Sequence, residues 1–284
     1  MSKGLVLEFT KMHGAGNDFI VVDNRFFRLS TAELSRVAAR FCPRRVGIGA
    51  DGLLALAVAK SDDIDYRMEY FNADGSLSDM CGNGARCLAS FAAQAGIDTD
   101  PLIFETAAGI YKAHVTPGDP DYVKLILPAA RVVDLDYGSV EVDPGRSLDF
   151  AFIVAGVPHA VCFGDGNGSI DEIPVQKWGS LVRYNERFDE TSGTNVDFTE
   201  VVERNGDSVL KVRTYERGVE AETFACGTGA VSAMVAAVES GRISQRECTV
   251  EMLGGPLRVG YVDGSDELYL EGPAVHSYRG SIVV

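Results

Sequence analysis

Cys81-Gly82-Asn83-Gly84-Ala85-Arg86 opens the stretch 80–96, MCGNGARCLASFAAQAG, and its pattern returns at 225–241 as ACGTGAVSAMVAAVESG. Cys81 aligns with Cys226, Gly82 with Gly227, Gly84 with Gly229, Ala85 with Ala230, Ala92 with Ala237 and Gly96 with Gly241, all at one constant offset. The register extends outward, pairing Tyr70 with Tyr215, Pro128 with Pro273 and Ala129 with Ala274. Two copies of one unit therefore make up most of the molecule.

Each copy reads as a strand, a polar loop, then Cys-Gly-x-Gly opening a helix. Ala85, Leu88, Ala89, Phe91, Ala92 and Ala95 in the first copy leave little polar face, as do Ala230, Val231, Ala233, Met234, Val235 and Val238 in the second. Such a pattern predicts a helix buried on all sides. It is too short to span a bilayer, which leaves a core helix wrapped by sheet. Gly96 and Gly241 stand where a C-terminal cap belongs. The expected fold class is α+β: two pseudo-symmetric domains, each a curved mixed β-sheet wrapped around a buried central helix, with the active site in the interdomain cleft. The expected domains are 1–128 plus 273–284, carrying Cys81, and 129–272, carrying Cys226. The tail 274–284 lies beyond the end of the repeat and is expected to cross back to the first half.

A chain of 284 residues with 46% hydrophobic content has room for two ordinary domains. Its net charge of −15 argues against nucleic acid or an anionic membrane surface as partner. The opening MSKGLVLEFTKMHG lacks a secretory apolar core and no apolar run reaches transmembrane length, so a cytoplasmic protein is expected. Six cysteines without a CxxC pair fit reduced thiols better than a disulfide framework or a zinc site.

Along the chain, Leu5 to Phe9 alternates like a strand, and the glycines of Met12 to Phe19 make a turn before a strand at Ile20 to Val22. Ser30-x-x-Glu33 is a capping box, with Leu34, Val37, Ala38 and Phe41 on one face of an outer helix. Gly47 to Gly52 satisfies GxGxxG, but a strand-like run, Leu53 to Val58, follows where a dinucleotide loop opens a helix, so a tight turn is expected. Strands are expected at Tyr66 to Phe71, Leu102 to Glu105, Ile110 to Val115 and Tyr122 to Leu127, with a crossover at Pro128 to Val133. The second half shows strand signals at Phe150 to Val154 and Ala160 to Phe163. Asp165 to Asp171 fails as a calcium loop, because Ile170 stands where glycine is needed and Gln176 where the bidentate glutamate belongs. Trp178, Leu181 and Val182 predict another outer helix. Strands then follow at Asn195 to Phe198, Lys211 to Tyr215, Thr249 to Leu253, Pro256 to Val262 and Glu267 to Leu270.

A lone buried cysteine is ordinarily a small core hydrophobe, and Cys42, Cys87, Cys162 and Cys248 read that way. Cys81 and Cys226 differ, because each precedes a helix whose unpaired amides and positive dipole end favour an anion. Such a position can lower a thiol's pKa from about 8.5 to between ~3.5 and ~7.5. If the halves pack face to face, the two sulfurs flank one substrate carbon. A thiolate takes a proton from one face and the opposing thiol returns one to the other, inverting the centre. Gly82, Asn83, Gly227 and Thr228 can present N–H groups to the substrate carboxylate, each worth about 2.7–4 kcal/mol where charge develops. With each sulfur about 3–3.5 Å from the carbon, the sulfurs stand roughly 6–7 Å apart, against the ~2.05 Å of a disulfide. Oxidation is therefore expected to join them only once the substrate has left, and to abolish activity. The scheme needs no pyridoxal lysine, metal or other cofactor.

MHGAGNDF, FNADG, CGNGAR, ERG, ETFACGTGA and GPAVH occur together along nearly the whole chain. On these motifs the sequence resembles the diaminopimelate epimerases, cofactor-independent enzymes that interconvert LL- and meso-diaminopimelate on the route to lysine and peptidoglycan. The resemblance implies that Cys81 and Cys226 are the catalytic acid/base pair. It implies that Asn17, Asn72, Asn83, Asn195, Glu216 and Arg217 contact substrate, that Gly82, Gly227 and Thr228 hold the reacting carboxylate, and that His159 and Glu216 assist the thiols. It also implies a homodimer. Family members often carry Asn where this chain has Val157 and Gln where it has Gly52, which leaves substrate detail open. Two rival readings stand beside this one: a two-cysteine racemase acting on proline or hydroxyproline, and a binding protein that kept the fold without catalysis.

Overall fold

The computed structural model describes residues 5–164 and 169–284; most of the calcium-like stretch, Asp165 to Gly168, lies outside them. The first elements are β1 (Val6–Gly14), β2 (Asn17–Asp23), α1 (Asn24–Phe27), α2 (Thr31–Phe41), β3 (Gly52–Ala57), β4 (Tyr66–Asn72) and β5 (Leu77–Ser78). Next come α3 (Gly82–Gln94), β6 (Leu102–Thr106), β7 (Gly109–Thr116), β8 (Asp119–Leu127) and β9 (Arg131–Asp143). The chain continues with β10 (Arg146–Ala155), β11 (Val157–Phe163), α4 (Val175–Arg183), β12 (Asn195–Arg204), β13 (Asp207–Glu216) and β14 (Ala221–Thr223). The last elements are α5 (Gly227–Glu239), β15 (Glu247–Met252), β16 (Gly255–Tyr261), β17 (Leu268–Pro273) and β18 (Val275–Val283). Two compact units result, one of Met1–Ile126 with Glu271–Val284, the other of Leu127–Leu270.

The first unit is a mixed sheet: β1–β2 antiparallel, β2–β3 parallel, β3–β4 antiparallel, β4–β6 parallel, then β6–β7 and β7–β8 antiparallel. The carboxy-terminal strand β18 runs antiparallel along β1, from Val6 against Val283 to His13 against Val275. At the β1–β2 turn Ala15 and Gly16 both take positive φ, 50° and 82°, the geometry that a two-residue hairpin of this hand requires. That turn delivers Asn17 to the start of β2. Ser30 Oγ accepts from the Glu33 amide while Glu33 Oε2 accepts from the Ser30 amide, closing the capping box at the head of α2. Leu34, Val37 and Ala38 then bury one face of α2 against Leu53, Ala55 and Phe71, and Phe41 stays partly buried.

The second unit repeats the scheme: β10–β11 antiparallel, β11–β12 parallel, β12–β13 antiparallel, β13–β15 parallel, β15–β16 antiparallel. Strand β9 lies along β10, where the sequence showed only a crossover. Its first residues, Arg131 to Asp136, are exposed on both faces, so this half of the strand buries no side chain. The expected outer helix is α4, in which Trp178 and Val182 are buried and Leu181 is exposed. The Gly47–Gly52 stretch is a turn that ends in β3 without opening a helix.

Both central helices are core elements, to different degrees. Every residue of α5 from Gly229 to Ala237 is buried. In α3 the last turn is looser: Phe91 and Ala95 are only partly buried, which corrects the expectation of burial on all sides. The more consequential departure is Arg86, which has no solvent exposure in the second turn of that helix. Among the described residues no helix is long and apolar enough to cross a membrane.

Candidate functional site

In the first unit Cys81 is the N-cap of α3, held extended at φ −141° and ψ 120°, and its Sγ accepts from the Gly84 amide at 3.5 Å. Its thiol donates to Asn17 Oδ1 at 3.6 Å, and Asn83 Nδ2 donates to the same oxygen at 3.3 Å. Asn17 Nδ2 in turn donates to Asp51 Oδ2 at 2.7 Å. Asn17, Cys81 and Asn83 are thus brought into one hydrogen-bonded cluster. Asn72 ends β4 in register with Gly52, and its amide donates to Ser76 Oγ at 3.0 Å.

Gly52 has a steric reason to be glycine in this chain. A Cβ there would lie 2.6 Å from both the Phe71 carbonyl oxygen and the Tyr70 ring. The Tyr70 ring fills the space that a larger residue at 52 would take.

In the second unit Cys226 is the N-cap of α5 and is buried. Burial pushes its thiol well above the ordinary value, and the Glu216 and Asp197 carboxylates push the same way against the Thr228 hydroxyl and Gly229 amide. The expected lowering at a helix N-terminus is corrected here, because desolvation and two negative charges outweigh the dipole. Thr228 Oγ1 lies 3.5 Å from the sulfur.

Asn195 starts β12 beside His159 of β11, its register partner. Its Nδ2 donates to the Pro158 carbonyl at 3.0 Å and its Oδ1 accepts from the Arg217 amide at 2.8 Å, so it ties the end of β13 to the β11 entry. Glu216 and Arg217 stand at the start of the β13–β14 turn. The Arg217 guanidinium donates to the Thr191 carbonyl at 2.9 Å, and among the described residues it forms no ion pair. Burial and the nearby Arg183 lower its proton affinity, a setting that favours an incoming anion. His159 is wholly buried, with Nδ1 2.7 Å from Asp197 Oδ2; Asp197 Oδ1 accepts from Thr214 Oγ1 at 2.7 Å. A Cβ at Gly229 would lie 2.4 Å from Asp197 Oδ1, so the first turn of α5 rests directly on this carboxylate.

The first-turn N–H groups of α3 and α5, those of Gly82, Gly227 and Thr228 among them, lack intrahelical acceptors by their position. Each half therefore offers a sulfur beside backbone donors, which is what acid/base work next to a carboxylate needs. Sequence reasoning missed Asp197, Thr214, Asp51 and Arg86. Asp197 and Arg86 did leave a signal, a charged residue inside an otherwise apolar strand or helix.

The sequence profile described as diaminopimelate epimerase matches residues 9–128 and 151–277. A diaminopimelate epimerase of Chlorobaculum tepidum is 38% identical over 278 residues, covering 96% of this chain and all of that one. Another, of Aquifex aeolicus, is 34% identical over 283 residues, with 97% and 98% covered.

The chain belongs to the diaminopimelate epimerase family.

Among solved structures, a hydroxyproline epimerase from Agrobacterium vitis superposes with a TM-score of 0.71 at 18% identity, covering 99% of this chain and 92% of that one. A PhzF-family phenazine biosynthesis protein of Bacillus anthracis gives 0.72 at 15% identity over 99% and 100%. At such identities these two share the family's fold and nothing further is carried from them. Membership makes the chain an amino-acid epimerase of the isomerase class.

Proposed function

We propose that this protein converts LL-diaminopimelate to meso-diaminopimelate by passing an α-proton between Cys81 and Cys226, without a cofactor. The observation that carries the reading is that both cysteines are N-caps of equivalent helices, one in each unit. One sulfur, as thiolate, removes the proton from the substrate α-carbon. Negative charge moves onto the substrate carboxylate, where first-turn N–H groups of Gly82, Asn83, Gly227 and Thr228 meet it. The other sulfur, as thiol, delivers its proton to the opposite face and becomes the thiolate for the reverse reaction.

The remaining residues divide by charge. Diaminopimelate carries a second ammonium-carboxylate centre; Arg217 suits its carboxylate and Glu216 its ammonium, with Asn72 and Asn195 as amide partners. Asn17 positions the Cys81 thiol. In His159 the carboxylate of Asp197 accepts from Nδ1–H, which leaves Nε2 as the basic nitrogen available to assist a thiol. Such a reaction serves lysine and peptidoglycan precursor synthesis in the cytoplasm, and the working form is a homodimer with no nucleic-acid or membrane partner.

The test is incubation with LL-diaminopimelate in D2O, following α-proton exchange and inversion by NMR for wild type, Cys81→Ser and Cys226→Ser. Exchange with inversion in the wild type, strongly reduced in both variants, is expected. Turnover of proline or hydroxyproline with diaminopimelate ignored would overturn the reading, as would the absence of any exchange.

A further inference from the structure

Arg86 is wholly buried in the second turn of α3, where a cation ordinarily stands opposite a carboxylate. Here it does not. Its Nη2 donates to Asn83 Oδ1 at 2.8 Å and its Nη1 to the Gly82 carbonyl at 3.4 Å. Among the described residues its Nε has no acceptor and its guanidinium forms no ion pair. Burial lowers its proton affinity, and the groups that act against this are the Cys87 and Cys81 thiols and the Tyr122 hydroxyl.

The internal repeat shows that the helix does not need this charge in order to fold. The register that pairs Cys81 with Cys226 pairs Arg86 with Val231, buried at the same place in α5. An apolar residue therefore serves one copy, while the other keeps an unpaired cation five positions after its N-cap cysteine.

Hydrogen bonding gives the cation a direct route to the sulfur. A guanidinium only donates, so the Asn83 atom facing it must be the oxygen, and Asn83 Nδ2 is turned to Asn17. The Asp51 carboxylate only accepts, so Asn17 turns its Nδ2 that way and its Oδ1 toward Asn83 Nδ2 and the Cys81 thiol. Both amides are locked from their far ends.

We propose that Arg86 is the positioning residue for Cys81, orienting the Asn83 and Asn17 amides around its sulfur and supplying the positive charge that makes Cys81 the more readily ionised thiol of the pair. The inference rests on the two-thiol reading above. The groups around the sulfur act in opposite senses: Asn17 Oδ1 favours the protonated thiol, whereas the Gly84 amide and the buried cation favour the thiolate. A full charge in a dry site outweighs one weak S–H donor, so the cation sets the balance. The other titratable groups at this end of α3 are Cys87, Asp51 through Asn17, and Asp121 and Tyr122 of β8. Burial pushes Cys87 up to about 12, so it stays a neutral thiol and does not compete for the charge. Around Cys226 the nearby charges are the carboxylates Glu216 and Asp197, which hold that sulfur protonated.

The test is iodoacetamide alkylation of the full-length protein, without substrate, followed from pH 5 to 10 with each cysteine resolved by peptide mass. Cys81 is expected to titrate at lower pH than Cys226. In Arg86→Met the Cys81 midpoint moves up by about one pH unit, a roughly tenfold slower reaction near neutrality, while Cys226 keeps its profile and the Tm does not fall. Arg86→Lys restores most of the shift. Should Arg86→Met not fold, Asn83→Asp keeps the cation and neutralises its field, and the same upward movement is expected. An unchanged Cys81 midpoint in a folded variant overturns the proposal. Because no substrate is present, this outcome is separate from the fate of the proposed reaction: exchange of diaminopimelate with an unmoved midpoint sinks only the role of Arg86, and a moved midpoint without exchange sinks only the reaction.

Discussion

His159 Nδ1 lies 2.7 Å from Asp197 Oδ2, and both side chains are wholly shielded from solvent. Two neighbouring strands create the pair. Parallel β11 and β12 place His159 beside Asn195, and the side-chain alternation of β12 brings Asp197 to the face that α5 covers. A buried carboxylate that accepts from both His159 and Thr214 fixes the ring and its tautomer.

Asp197→Asn should leave the fold intact and lower kcat by about 10²- to 10⁴-fold, because an amide no longer enforces the Nδ1–H tautomer. Steady-state kinetics beside a melting curve separates this from simple damage. Asp197→Ala also orphans His159 and Thr214 and should lower stability by about 1–3 kcal/mol per unsatisfied group. Equal activity in Asp197→Asn and wild type would exclude a tautomer-setting role.

Gly229→Ala puts a methyl group where only 2.4 Å separates the new carbon from Asp197 Oδ1. The first turn of α5 must then lift from the carboxylate, carrying Cys226 and Thr228 with it. A loss of activity exceeding tenfold is expected for a displacement of this size. Gly241→Ala, with open space around its Cβ but a positive φ of 70°, should reduce stability with little effect on kcat.

Arg217→Ala should raise KM for diaminopimelate by roughly 10- to 150-fold, the loss of one charge-assisted hydrogen bond of about 1.5–3 kcal/mol. Arg217→Lys should recover only part, because a fork that also holds the Thr191 carbonyl is replaced by a point charge. An unchanged KM in both variants would remove Arg217 from the substrate site.

Alkaline pH should unfold the protein through its buried thiols. Burial pushes Cys42, Cys87 and Cys248 each from 9.0 up to about 12. The unfolded chain loses these protons first, so the stability is fully present below pH 9 and is lost as pH rises from about 9 toward 12. Each thiol adds a slope of up to about 1.4 kcal/mol per pH unit in that window. Urea midpoints measured at pH 8, 10 and 11 should converge less steeply for Cys42→Ala than for wild type. Parallel lines for the two proteins would contradict the assignment.

Much of the fold was legible because it is written in short-range pattern. The capping box at Ser30 and Glu33, the continuous apolar run of β3, the alternation in β4, and the Cys-Gly-x-Gly helix starts all depend on neighbours a few residues apart. Strand β9 was read only as a crossover: Val133, Leu135 and Tyr137 do alternate with Asp134 and Asp136, but its first half buries neither face, and it is the pairing with β10 that makes it a strand.

The site divides along the same line. By itself the sequence determined that the chain is a duplicated unit, that each copy sets one cysteine before a glycine-opened helix, and that the motifs are those of the family. Only the tertiary structure decided what surrounds each sulfur: a buried cation acting through Asn83 and Asn17 on one, the Asp197 and Glu216 carboxylates on the other. The physical reason is that helix caps and strand alternation are set by residues adjacent in the chain, whereas desolvation and charge act through space. Val231 and Arg86 occupy equivalent positions in the repeat, yet one helix buries an apolar side chain there and the other a cation.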